Sequence, residues 1–197
     1  MPESRPFDRA TLEAAFAYIG DRAVQAGKVV EITVYGGSAL VLTLKTRPAT
    51  RDVDAVFEAD RGFVRHVAQE IAAENGWDES WLNDGAKGFL SRADQDPDSR
   101  RLFRSYPSEQ APGLRVFVAA PEYVFAMKCM AMRIGGVEES RDVQDIEALI
   151  HLLGLKSFDE AIALVEAFYP ANQISPKTQF GLEALFGRLG GAPKDSP

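Results

Sequence analysis

The stretch that decides the fold reads Val29-Val30-Glu31-Ile32-Thr33-Val34-Tyr35-Gly36-Gly37-Ser38-Ala39-Leu40, followed after a loop by Arg51-Asp52-Val53-Asp54-Ala55-Val56-Phe57. Val30, Ile32 and Val34 alternate onto one face, which predicts a strand over 29–35. Gly36-Gly37 breaks that strand, and 38–45 reads as a short, mostly apolar helix. A strand that ends in Gly-Gly-Ser at a helix start suits an anion. Glycine lets backbone come close to a ligand and adopts positive φ, and the first helical N–H groups lack internal partners. Taken alone, the same four residues also fit a tight turn with Ser38 as the helix cap.

The second run sharpens the reading. Residues 52–57 predict another strand, and on a strand Asp52 and Asp54 project from the same side, about 6.5–7 Å apart along the chain. Two carboxylates so placed repel one another unless a cation lies between them, and hard oxygen ligands favour Mg²⁺ or Mn²⁺. The competing reading is a surface strand whose acids pair with Arg47 or Arg51.

Outward from this centre, helices are predicted over 8–27, 62–75 (closed by Asn75-Gly76), 121–134, 138–153, 157–168 and 176–189. Pro121 suits the first position of its helix, and Ser157 with Glu160 forms a capping box. Residues 77–113 pattern poorly and read as loops with one short helix and a short strand near 102–106. Residues 114–119 are an apolar strand. The fold class expected is α+β: a mixed sheet flanked by helices over 1–120, a helical part over 121–190 that packs on the core and closes a cleft, and a disordered tail over 191–197.

Lys128 has Val124, Phe125, Ala131 and Met132 as helical neighbours, so it projects from an apolar stripe. On the next helix Asp142 and Asp145 align with Ile146 and Leu149. A lysine and two acids aimed inward form either a polar network facing a cleft or a structural ion pair joining two helices.

The 197 residues are 46% hydrophobic and 26% charged, an ordinary globular profile. A net charge of −7 supplies no positive field for nucleic acid, and no DNA partner is expected. Arg100, Arg101 and Arg104, with Arg92 upstream, form the one basic cluster, which also reads as a solvated face. One cysteine, Cys129, excludes an internal disulfide and a cysteine-rich zinc site. His66 and His151 are too far apart in sequence to suggest a histidine metal site. The opening MPESRPFDRA has no apolar core, and no apolar run approaches the ~18–20 residues of a membrane span. A cytoplasmic protein with no membrane partner is therefore expected.

Gly36-Gly37-Ser38-Ala39-Leu40, Arg47, Thr50 and Arg51-Asp52-Val53-Asp54 together resemble the polymerase-beta-type nucleotidyltransferase superfamily. Within it the chain is similar to the bacterial branch of AbiEii/MenT-like toxins. Pro121-Glu122 through Lys128, then Ala131, Arg133, Arg141-Asp142 and Asp145, match that branch's Pro-Glu helix start, lysine, arginine and later acid. Trp81-Leu82-Asn83-Asp84 with Lys87 matches a further segment, although Asn-Asp-Gly is equally a turn signal. The resemblance spans roughly residues 29–153.

It implies a Mg²⁺ (or Mn²⁺)-dependent enzyme that moves a nucleoside monophosphate from an NTP to an RNA hydroxyl, such as a tRNA 3′ end. It further implies a toxin paired with an antitoxin protein. Asp52 and Asp54 would hold the metal and, with Lys128 and Asp145, form the catalytic set. Gly36, Gly37, Ser38, Arg47, Thr50, Arg51 and Lys128 would bind the nucleotide, with Asn83, Lys87, Arg133 and Asp142 as further cleft residues. The superfamily's third strand carboxylate is missing, because Arg115 stands where an acid is expected on 114–118. The alternatives are AMP-type transfer to a protein, a catalytically degenerate nucleotide- or partner-binding module, and a structural protein with a chance Asp-x-Asp.

Overall fold

The computed structural model describes residues 6–44, 47–57, 59–132 and 137–190. In chain order the elements are β1 (Phe7–Asp8), α1 (Arg9–Gln25), β2 (Val30–Val34), α2 (Gly36–Thr43), β3 (Ala49–Thr50), β4 (Val53–Phe57), α3 (Arg61–Asn75), β5 (Leu82–Asn83), β6 (Arg100–Pro107), β7 (Pro112–Ala119), α4 (Pro121–Ala131), α5 (Val137–Leu153), α6 (Phe158–Phe168) and α7 (Pro176–Gly190). Short 3₁₀ turns occupy Gly85–Phe89, Arg92–Gln95, Pro97–Ser99 and Ala171–Gln173. The chain divides into two compact units, one of Met1–Gly88 with Asp94–Ala120, the other of Phe89–Ala93 with Pro121–Pro197.

The first unit is built on a mixed five-stranded sheet in the order β5-β4-β2-β7-β6. β2 runs antiparallel to β4 and parallel to β7, with Val34 opposite both Ala55 and Val118. That register gathers Val30, Ile32, Val34, Val53, Ala55, Phe57, Leu114, Val116 and Val118 on one face, and all nine are buried. α1 covers this face with Leu12, Phe16, Ile19 and Ala23. The strands are short and strongly alternating, so one face is apolar throughout and the helix has a single way to seat on it. Phe7, Trp77 and Trp81 form an aromatic cluster at the β1–β3 side, where the Trp81 indole donates to the Ala68 carbonyl at 2.9 Å.

The predicted strands and helices appear with boundaries shifted by a few residues. Gly76 closes α3 in the left-handed conformation, φ 67°. Ser157 accepts from Glu160 N–H at 3.2 Å, while the Glu160 carboxylate accepts from Lys156 N–H at 2.8 Å rather than from Ser157. The reading of 77–113 requires correction. It contains an eight-residue strand, β6, hairpinned to β7, whose residues Arg100 to Pro107 carry too many arginines to alternate. Arg133, the end of the helix expected over 121–134 and the expected tail over 191–197 lie outside the described residues.

The second unit centres on α4, where Tyr123, Val124, Phe125, Ala126, Met127 and Cys129 are all buried. A helix apolar on nearly all sides must be enclosed, and α5, α6 and α7 each pack against it. Tyr123 stacks on Phe168 with ring centroids 5.1 Å apart. Burial pushes the Cys129 thiol well above its ordinary pKa, so it behaves as an inert core residue. No helix among the described residues is long and apolar enough to cross a membrane.

α1 packs closely on the β6–β7 hairpin. A β-carbon at Gly113 would sit 2.0 Å from the Gly20 carbonyl oxygen, and one at Gly20 would sit 2.7 Å from Tyr106 backbone atoms. Gly113→Ala is therefore expected to destabilise the fold by roughly 1–3 kcal/mol, as overpacking against backbone does. Urea unfolding measures this, and an unchanged midpoint would contradict the packing of α1 on the hairpin.

Candidate nucleotide site

β2 ends where α2 begins, and the transition is made at Tyr35 and Gly36. Tyr35 N–H donates to the Asp54 carbonyl at 2.9 Å, which extends the β2–β4 pairing by one residue. Gly36 takes φ 56°, the left-handed region that disfavours side chains. α2 has no side-chain cap from its N-cap residue, Tyr35, and Ser38 Oγ, inside the helix, turns back and donates to the Tyr35 carbonyl at 2.9 Å. The alternative reading of Ser38 as the helix cap does not hold, since its hydroxyl bonds inside the turn and the residue is buried.

β4 alternates as its sequence requires. Val53, Ala55 and Phe57 face the core, whereas Asp52 and Asp54 lie off that face, Asp52 exposed and Asp54 half-buried. The Asp54 carboxylate is walled by two glycines. A β-carbon at Gly36 would lie 3.2 Å from Asp54 Oδ2, and one at Gly85 would lie 2.9 Å from Oδ1. Parallel pairing of β4 with β5 sets Asn83 directly beside Asp54, and Asn83 Oδ1 accepts from Gly85 N–H at 2.7 Å. Arg47 completes the enclosure on the helix side, where a β-carbon at Gly37 would fall 2.5 Å from its Nη2. Gly36, Gly37, Arg47, Asp54 and Asn83 are therefore brought together at one strand end.

Other expected members are placed differently. Thr50 is buried opposite Phe7 in the β1–β3 pair. Arg51 is exposed at the bend before β4. Lys87 is committed to Asp84, as is Arg65 at 3.2 Å. The hydrogen bond from Lys87 is the main reason the Asp84 carboxyl titrates below its ordinary value; the nearby Lys87 and Arg65 charges lower it further, against some desolvation. Among the described residues, no three His, Cys, Asp or Glu side chains gather into a metal-holding group.

A Mg²⁺ ion needs only one or two carboxylates and takes its remaining ligands from triphosphate and water. Asp52, exposed just before β4, and Asp54, half-buried on it, are hard oxygen donors two residues apart and fit that requirement. No carboxylate stands on β7. Arg115 pairs with Glu31 on the neighbouring strand at 3.0 Å, which accounts for an arginine at that position. The basic cluster also separates. Arg100 donates to Thr33 Oγ1 at 3.0 Å and lies 4.7 Å over the Phe117 ring, whereas Arg104 pairs with Glu13. Arg92 belongs to the second unit.

In the second unit, Lys128 Nζ bridges Asp142 at 2.8 Å and Asp145 at 2.9 Å, all three side chains being largely buried. Tyr35 and Asp94 were not anticipated. The Tyr35 hydroxyl donates to Asp94 Oδ1 at 2.5 Å across 59 positions of sequence, a separation that leaves no local signal.

No family model and no curated protein matches the chain. Among solved structures, an antigenic nucleotidyltransferase-like protein from Paracoccidioides brasiliensis is similar over 91% of this chain and 95% of that one, at 16% identity and a TM-score of 0.46. A likeness that distant carries no weight for activity.

Two outcomes are expected. Lys128→Met leaves two acids facing one another in the α4–α5 interface and should cost on the order of 3 kcal/mol, the low end for a broken buried ion pair because Asp142 keeps some solvent; denaturant unfolding reads it, and a neutral change would contradict a structural clamp. Lys87→Met should raise the Asp84 titration towards the ordinary carboxyl value, followed by NMR of the carboxyl carbon. Because the folded pKa is depressed, the stabilisation from this pair is present above the unfolded carboxyl pKa and is lost as pH falls through the folded one. An unmoved titration would show that Lys87 is not the cause.

Proposed function

We propose that the chain is a metal-dependent nucleotidyltransferase that moves a nucleoside monophosphate from an NTP to a hydroxyl acceptor. The observation that carries this reading is the seating of the Asp54 carboxylate between Gly36 and Gly85, with Asp52 exposed two residues before it and Arg47 against Gly37. A carboxylate pair beside an uncapped, glycine-opened helix start combines a place for a hard cation with backbone N–H donors for phosphate. The sequence resemblance supports the same assignment independently of the geometry.

In this reading the first N–H groups of α2 bind the β- and γ-phosphates. Arg47 neutralises charge at their side, and Arg51, exposed at the bend, adds to it. Asp52 and Asp54 would hold the cation, which when bound would screen the phosphate charges and lower the pKa of the attacking hydroxyl. The acceptor oxygen forms a bond to the α-phosphorus as the bond to the β-phosphate oxygen breaks, releasing pyrophosphate, and the acceptor proton passes to solvent. Catalysis of this kind is positioning and charge stabilisation. Lys128 is left out of this set because its ammonium is held by Asp142 and Asp145.

RNA is the acceptor that the resemblance supports, with the chain acting as the toxin of a toxin–antitoxin pair. A protein acceptor is the second reading, and a specific observation favours it. The net charge is −7, and Arg100 and Arg104 of the one basic segment already have partners within the fold. Phosphate contacts supply most RNA affinity, and little positive surface is left for them.

The test is transfer of α-labelled NTPs to total RNA and to protein, with Mg²⁺, by the wild-type chain and Asp54→Asn. Transfer that falls by at least ~10²-fold in a variant that still unfolds at the wild-type midpoint supports the assignment. Equal transfer by the variant sinks it.

A further inference from the structure

We propose that Asp94 is a positioning residue for the nucleotide site, acting through Tyr35 to fix the distance between Asp54 and the Gly36-Gly37 turn. The assignment rests on the reading above for the identity of the ligand, and on the surroundings of Tyr35 for its geometry.

Tyr35 is tied at both ends. Its N–H donates to the Asp54 carbonyl at 2.9 Å, and its own carbonyl accepts from Ser38 Oγ at 2.9 Å and from Ala39 N–H at 3.1 Å. One peptide unit on either side of this residue thus joins the strand that carries the carboxylate to the helix that offers its N-terminus. Any rotation of Tyr35 moves both. The ring is buried at 2% exposure, and its hydroxyl is held by the Asp94 carboxylate.

A buried phenol needs a partner, but a neutral carbonyl or a water would serve. A carboxylate makes the bond charge-assisted, and therefore shorter and stiffer. Asp94 leads into a turn that is itself anchored. Ser99 Oγ donates to the Asp96 carbonyl at 2.7 Å, with the Asp94 carbonyl farther off at 3.4 Å, and the Ser99 carbonyl accepts from Ala120 N–H at 2.7 Å just beyond β7. These bonds link the sheet end, through the turn that carries Asp94, to Tyr35, the residue before Gly36. Gly36 sits at φ 56° and has no side chain with which to resist movement. Tyr35, its neighbour, supplies a restraint that the glycine cannot supply itself.

The experiment uses the full chain as wild type, Asp94→Ala, Tyr35→Phe and, as a control from the same turn, Asp98→Ala. Amide hydrogen exchange is read without ligand at Tyr35 and Ala39, and the KM and kcat for the NTP are read in the same proteins. Loss of a hydrogen bond to a charged group should accelerate exchange at both amides by about tenfold or more in Asp94→Ala and Tyr35→Phe, with Asp98→Ala unchanged. The NTP KM should rise in step while kcat is largely kept, since the turn acts in binding. Unchanged exchange at Tyr35 and Ala39 overturns the proposal. So does acceleration spread evenly over the whole first unit, which would mark Asp94 as a merely structural residue. Local acceleration in a chain that turns over no NTP upholds the tie at Tyr35 and overturns the nucleotidyltransferase reading instead.

Discussion

A β-carbon on Gly36 would come within 3.2 Å of an Asp54 carboxylate oxygen, at a residue whose backbone is already left-handed. This close approach is the constraint on which the site depends. It requires β2 to end where β4 begins, so that Tyr35 can pair with Asp54. It also requires α2 to turn away at once, and both neighbours of the carboxylate to be glycine. The buried face of the sheet enforces the first requirement, because a slip of one residue in the β2–β4 register would turn Val53, Ala55 and Phe57 outward. Core packing on one face of the sheet thus determines where a carboxylate stands on the other.

The charged groups singled out in the sequence divide between the two units of the chain. Lys128, Asp142 and Asp145 form a largely buried set in which the lysine satisfies both acids. Removing one member is costly, but the intact set is no strong source of stability, because its Coulomb gain is offset by desolvation. Its effect is to hold α5 on α4 in one arrangement. Asp52 and Asp54 belong to the first unit and lie off its apolar face, Asp52 exposed and Asp54 half-buried.

Much of this was legible in the sequence, for reasons that differ between elements. The alternation of Val30, Ile32 and Val34 and the run 52–57 located the central strands to within two residues, because period-two patterning leaves a strong local signal. Gly76 and Ser157 marked helix ends through local backbone chemistry. β6 was underestimated because Arg100, Arg101 and Arg104 obscure any alternation, and it is pairing with β7 that makes the segment a strand. The two-residue strands β1, β3 and β5 are too short to leave a pattern.

In the site, the Asp-x-Asp spacing and the Gly-Gly break were visible locally. Ser38 and Thr50 were expected on the ligand side by resemblance, whereas one hydroxyl closes its own turn and the other residue is buried against β1. The Asn-Asp-Gly sequence read equally well as a turn, and only the β4–β5 register brings Asn83 beside Asp54. Asp94 and Tyr35 meet through tertiary structure alone.

The most direct measurement is calorimetric titration of each nucleoside triphosphate, with and without Mg²⁺, into the wild-type chain and into Asp52→Asn/Asp54→Asn. Metal-dependent binding that disappears in a folded double variant is the predicted result. Equal binding by both proteins, or none by the wild type, would contradict a nucleotide site built on these two carboxylates.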